Sequence, residues 1–192
     1  SYKTEVGMKP DDIYISAGNI MLNLAEIRRR KLEENFKEFI HSHRQLSFVD
    51  QPVLNACTTN EDKLLIPLNY NAYSIVFYLN YKNAKKAKRV SRYYTESQVL
   101  DAVSNPCIVH FTTCFMDGTR PWIENNNHPM IKQYLDYKQK SEWADTPLWK
   151  DNRSAVKKLG GKMFNILPQG FVAGSIGIVH DKIIPALHKI KK

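Results

Sequence analysis

The chain predicts an α/β fold, a mixed sheet with flanking helices followed by a helical basic tail. Three observations carry this. Short β-prone runs (Ile13-Tyr14-Ile15, Ile20 to Leu24, Leu64 to Leu68 and Cys107 to Phe111) alternate with stretches whose apolar residues recur at helical spacing. An apolar share of 43% and an aromatic share of 11% over 192 residues suit one cored domain, or one domain and a tail. The net charge of +9 is concentrated late: from Lys150 onward nine Lys or Arg stand against Asp151 and Asp181 alone. Such asymmetry fits an acidic partner, either nucleic acid or an anionic membrane surface. No nucleic-acid-binding motif accompanies the charge, so nucleic acid is not the expected partner.

Taken in order, residues 1 to 12 form a loop or short helix ending at Pro10-Asp11-Asp12, an acidic pair suited to a turn or cap. The strand Ile13-Tyr14-Ile15 meets the small residues Ser16-Ala17-Gly18-Asn19, which let a ligand or another backbone come close. Ile20 to Leu24 is expected as a buried strand. Ala25 to about Gln45 is expected as one helix, with Ile27, Leu32, Phe36, Phe39 and Ile40 at helical spacing and Arg28 to Lys31 on a solvated surface. Pro52 suits the first turn of a helix over the following residues. Leu64 to Leu68 is a strand ending at the polar turn Asn69-Tyr70-Asn71. Lys82 to Arg89 is a basic segment that either contacts phosphate or is solvated. Ser97 to Ser104 and Met130 to Trp143 are amphipathic helices, and Cys107 to Phe111 is a strand delivering His110 near its end. Gly160-Gly161 marks a break, and Ile183, Ile184, Leu187 and Ile190 share one side of a short final helix among lysines. That helix is either an interfacial membrane anchor over residues 181–192 or a packed helix with a basic face.

The three cysteines, Cys57, Cys107 and Cys114, are odd in number and lack C-x-x-C spacing. This argues against a disulfide framework and a structural zinc site, and it favours a reducing compartment. No run of about 18 apolar residues is present to span a bilayer. The start of the chain is polar and has no signal-peptide core. A cytoplasmic protein, at the inner face of the membrane if the tail anchors it, is the expectation.

Two stretches carry chemistry. In Asp50 to Thr59, a carboxylate and a primary amide stand side by side; they either line a cavity, or Asp50 caps the helix that follows. His110 stands at a strand end upstream of Arg120-Pro121-Trp122, where a rigid proline sets a cation beside an indole. That arrangement suits a pyrophosphate, directly through the guanidinium or through a divalent ion on the imidazole. A satisfied structural histidine is the alternative.

The motifs together resemble the family 8 glycosyltransferases. Ile15 to Leu24 looks like their N-A-G strand, and Asp50-Gln51-Pro52-Val53-Leu54-Asn55 like their D-Q-D-x-L-N motif. Leu65 to Asn71 looks like their L-P-x-x-Y-N strand, and Val109-His110-Phe111 with Arg120-Pro121-Trp122 like their H-F and K-P-W motif. The resemblance runs over about residues 13 to 149 and is nearest to bacterial hexosyltransferases of lipopolysaccharide and capsule assembly. It implies that residues 1–149 are the C-terminal, acceptor-side portion of a GT-A type nucleotide-diphospho-sugar transferase fold. Residues 150–192 would be the basic tail. It also implies a UDP-sugar donor, a glycan or glycolipid acceptor, manganese and retention at the anomeric carbon. By position, His110 would bind metal and Arg120 would steady the leaving diphosphate. Ser16, Ala17, Gly18 and Gly118 would approach the donor, and Asp50 and Gln51 would line the sugar and acceptor side. Ser16 replaces the family asparagine, Arg120 replaces a lysine, and the chain has no D-x-D. The chain alone is therefore expected to be inactive, holding manganese poorly through one imidazole. A non-catalytic binding remnant is the rival expectation.

Overall fold

The computed structural model describes residues 2–43, 50–88, 93–112, 120–179, 183 and 186. It divides into two compact units, Ser1–Ile66 and Pro67–Lys192.

In the first unit, helix α1 (Tyr2–Glu5) is closed by Gly7 at φ 79, a left-handed turn suited to a residue without Cβ, and Val6 and Met8 are buried. The single helix expected over Ala25 to Gln45 is two. Helix α2 (Leu24–Arg29) is capped by the Asn23 side chain, and α3 (Leu32–Ser42) begins after Lys31, whose φ of 52 breaks the helical path. The break accompanies two contacts: Leu32 is buried, and Arg30 pairs with Asp62 at 2.5 Å. Helix α4 (Gln51–Ala56) carries Pro52 in its first turn, as expected.

Two predicted strands are corrected. Ile20 to Leu24 is neither strand nor buried: Met21 is 96% exposed and Leu24 already opens α2. In Leu64 to Leu68, Leu64 is 90% exposed and only Leu68 is buried, in a 3-10 turn over Leu68–Asn71. β-Propensity describes a side chain that fits a half-buried pleat, and these runs find no neighbouring strand among the described residues.

In the second unit, β1 (Ala72–Tyr73) pairs in parallel with β2 (Val109–His110), Ala72 opposite Val109 and Tyr73 opposite His110. This two-stranded sheet, with helices around it, makes the fold α/β in the coarse sense, and it stands in place of the mixed sheet expected. Helices α5 (Ile75–Tyr78), α6 (Tyr81–Lys88) and α7 (Glu96–Ser104) follow, the last with a full capping box between Thr95 and Gln98. The basic segment expected at Lys82 to Arg89 is thus largely α6, whose Ala84 and Ala87 face the core. After β2 come α8 (Ile131–Gln139), α9 (Ala155–Ile166) and α10 (Gln169–Ile178). The core joins Leu68, Ala72, Val76 and Leu79 to Val99 and Ala102 and to Val172, Ala173 and Ile176 of α10. Small residues allow α6 and α10 to meet closely: a Cβ on Gly177 would lie 2.5 Å from the Lys86 carbonyl oxygen.

Gly160-Gly161 does not break the chain. Both glycines lie inside α9, which starts at the Ser154 cap and stops where Leu167, preceding Pro168, turns extended. No helix among the described residues is long and apolar enough to cross a membrane.

Candidate functional site

The predicted site residues fall in both units. In the first, the segment from Ile13 to Ala17 forms no strand, and its partners are side chains. The N–H groups of alternate residues, Ile13, Ile15 and Ala17, donate to the amide oxygens of Asn60 (2.8 Å), Asn55 (2.7 Å) and Gln51 (3.2 Å). Asn55 Nδ2 donates back to the Ile15 carbonyl at 2.8 Å, and Lys63 Nζ donates to the Ile13 carbonyl at 2.9 Å. The three amides thus take the role of a neighbouring strand, with the two-residue period of a strand edge. Burial lowers the Lys63 pKa, opposed by the nearby charges of Asp12 and Asp62.

Within this arrangement Gln51 positions Ala17. Asp50 is exposed and its carboxylate accepts from the Gln51 N–H at 2.9 Å, the capping role. Ser16 Oγ accepts from the Gly18 N–H at 3.2 Å, closing the small-residue turn on itself. Asn55, only 1% exposed, is the residue that sequence reasoning passed over. Its signal was its spacing: four residues after Gln51 on a helix, it shares that residue's face.

In the second unit, the Asn69-Tyr70-Asn71 turn fixes the approach to β2. Asn69 O accepts from the N–H groups of Cys107 and Ile108, and Ala72 N donates to Ile108 O. The Asn71 side-chain oxygen lies 2.9 Å from His110 Nδ1. An amide oxygen only accepts, so Nδ1 carries the proton and Nε2 keeps its lone pair. Burial, and then the charge of Arg120, push the His110 pKa below its ordinary value, so the ring is neutral at pH 7.

Phe111 meets His128 edge-on at 4.8 Å and Tyr134 at 6.1 Å, which seats its ring. Its carbonyl accepts from Arg120 Nη1, and the Arg120 guanidinium lies 5.7 Å from the centroid of the Trp122 ring. Pro121 between them is buried. No ion pair among the described residues involves Arg120. The structure therefore brings a half-buried cation, a neutral imidazole and an indole together at the end of β2. Gly118 lies outside the described residues, as does all of the 181–192 segment except residues 183 and 186.

The resemblance places manganese at His110. Among the described residues no three His, Cys, Asp or Glu side chains gather to hold a metal ion. One imidazole beside a guanidinium is a poor ligand set for a cation that favours carboxylates and water.

The chain is similar to general stress protein A of Bacillus subtilis (strain 168). The two are 27% identical over 133 residues, which cover 68% of this chain and 42% of that protein. The chain thus spans less than half the length of this relative. No family model matches, and no solved structure matches. These findings overturn the glycosyltransferase assignment: the relative carries a stress-protein name, and no glycosyltransferase family or structure is matched. Hexosyl transfer and lipopolysaccharide or capsule assembly are withdrawn with it, and the non-catalytic remnant gains no support either. Gln51, Asn55 and Asn71 each make hydrogen bonds that hold the fold locally.

Proposed function

We propose that this protein binds a small diphosphate-bearing molecule at the end of β2. The observation that carries the reading is Arg120: a half-buried guanidinium, tethered by the Phe111 carbonyl and seated by Trp122, with no carboxylate paired to it among the described residues. A cation fixed in place and left without a counter-charge is an anion receptor. His110 adds pH dependence. Its depressed pKa leaves it neutral when the site is empty, and a bound phosphate favours the protonated ring. Ligand binding then takes up a proton, and affinity rises as pH falls. The stress-protein name of the relative specifies no ligand and adds nothing to this chemistry.

Calorimetry with UDP, inorganic pyrophosphate and UMP, without added metal, tests the reading. UDP and pyrophosphate bind, UMP binds more weakly, and Arg120→Ala weakens binding by about tenfold or more while Arg120→Lys retains part. Affinity rises as the pH is lowered from about 7.5 to about 6, and His110→Ala flattens that dependence. Absence of binding by either diphosphate, or binding untouched by Arg120→Ala, refutes the reading.

A further inference from the structure

Helix α9 has no buried residue, and its large aliphatic side chains all face outward: Val156 is 80% exposed, Ile166 83%, and Leu159 and Met163 more than half. At about 100° per residue, these four positions fall within an arc of roughly 80°. The helix is held to the second unit from another direction, through Phe164, which packs on the core together with Leu167. The outward face is thus a continuous aliphatic stripe two to three turns long, too large to be scattered exposed residues.

The charges of the helix itself have one sign. Helix α9 contains Lys157, Lys158 and Lys162 and no acidic residue, and Lys150 and Arg153 precede it. Asp151 is the sole carboxylate between residues 150 and 166. It is already engaged by Arg153, with Nε–Oδ1 and Nη2–Oδ2 each 3.0 Å, and Lys158 Nζ lies 3.8 Å away. Lys162 lies about 40° from one edge of the aliphatic arc, where its long stem covers apolar surface and its ammonium group reaches a polar boundary.

We propose that α9 is an interfacial docking helix that lays Val156, Leu159, Met163 and Ile166 into the surface of an anionic lipid bilayer. The charge pattern selects this occupant: a basic rim whose nearby carboxylate, Asp151, is already paired with Arg153 complements lipid phosphates, and burial of aliphatic side chains needs no directional partner. The helix lies on the bilayer and does not cross it, since it has only 12 residues.

The test is co-sedimentation of the full chain with neutral phosphatidylcholine vesicles and with vesicles enriched in phosphatidylglycerol. The chain pellets with the anionic vesicles and is released by high salt. Leu159→Gln combined with Ile166→Gln lowers partitioning by about tenfold per side chain. Neutralising Lys157, Lys158 and Lys162 to Gln lowers it by about fivefold per lysine. All five positions are exposed, and circular dichroism verifies that the variants remain folded. Vesicle binding that survives the Leu159→Gln/Ile166→Gln change places the contact elsewhere, in the basic residues 181–192 for instance, and overturns the proposal. So does failure to bind anionic vesicles. A self-association in sedimentation velocity that the same pair of substitutions abolishes overturns it in favour of a second copy as occupant.

Discussion

Replacing Asn55 with Ala removes the centre of the amide ladder that holds Ile13 to Ala17. The wild-type side chain satisfies the Ile15 N–H at 2.7 Å, the Ile15 carbonyl at 2.8 Å and the Gln51 carbonyl at 2.8 Å. The last matters least, because Gln51 O is also reached by the helix backbone. The two Ile15 groups lose the partners they have among the described residues, and the site is closed to bulk water, since Asn55 itself is 1% exposed. An unsatisfied buried donor or acceptor costs about 1–3 kcal/mol, which for two partly buried groups sums to roughly 2–4 kcal/mol. Because the chain has two units, a single melting temperature averages over both, and the sharper assay is native-state hydrogen exchange at Ile15 combined with urea unfolding. Protection of the Ile15 amide is expected to collapse. Asn55→Asp adds a signed control. It keeps an acceptor for the Ile15 N–H but faces two carbonyl oxygens with a carboxylate, so its folded-state pKa is raised. Its stability deficit is then greatest at neutral pH and shrinks as pH falls toward about 4, where the protonated acid donates again. An Asn55→Ala protein within about 0.5 kcal/mol of wild type, with Ile15 still protected, would show that the ladder is incidental.

Two further outcomes follow from the geometry. Gly177→Ala forces a methyl to 2.5 Å from the Lys86 carbonyl, and thermal unfolding should show a loss of about 1–3 kcal/mol. Gly174→Ala in the same helix meets nothing within 4 Å and should be neutral or gain up to about 1 kcal/mol, so equal effects at both sites would refute the close α6–α10 packing. The Arg30 guanidinium, followed by the Thr59 N–H, holds the Asp62 carboxyl down to about 2. Its folded pKa lies below the unfolded one, so its contribution is present above about pH 4 and is lost as pH falls toward about 2. Asp62→Asn should flatten this part of the pH–stability curve of the first unit, and an unchanged acid limb would count against the pair.

The helices were more legible than the strands, for a physical reason. Helical contacts are local, so Pro52 in the first turn of α4 and the spacing in Ser97 to Ser104 each report directly on a nearby backbone bond. A strand needs a partner that its own residues do not name. Cys107 to Phe111 found one in Ala72-Tyr73, whereas Ile13-Tyr14-Ile15 found side chains, and Leu64 to Ile66 stayed exposed. Composition hid the difference, because all three runs are apolar and short. The Gly160-Gly161 pair misled in the opposite sense. Glycine weakens a helix interior by only about 1 kcal/mol per residue, which a good cap at Ser154 and the contact of Phe164 with the core offset.

The same distinction governs the candidate site. Residue type indicated which groups have useful chemistry, but the hydrogen-bond partner decides what each one does. Gln51 looked poised for a substrate and is occupied with the Ala17 N–H; Asp50 is occupied with the start of its own helix. Arg120 differs because its tether is a neutral carbonyl, which fixes the guanidinium without cancelling its charge. His110 differs because Asn71 fixes its tautomer and leaves Nε2 uncommitted by that bond. A motif match cannot separate these cases, since a glutamine that holds a loop and a glutamine that holds a ligand are the same letter. Charge that is positioned and meets no carboxylate among the described residues is the property that survives the comparison, and it singles out the end of β2.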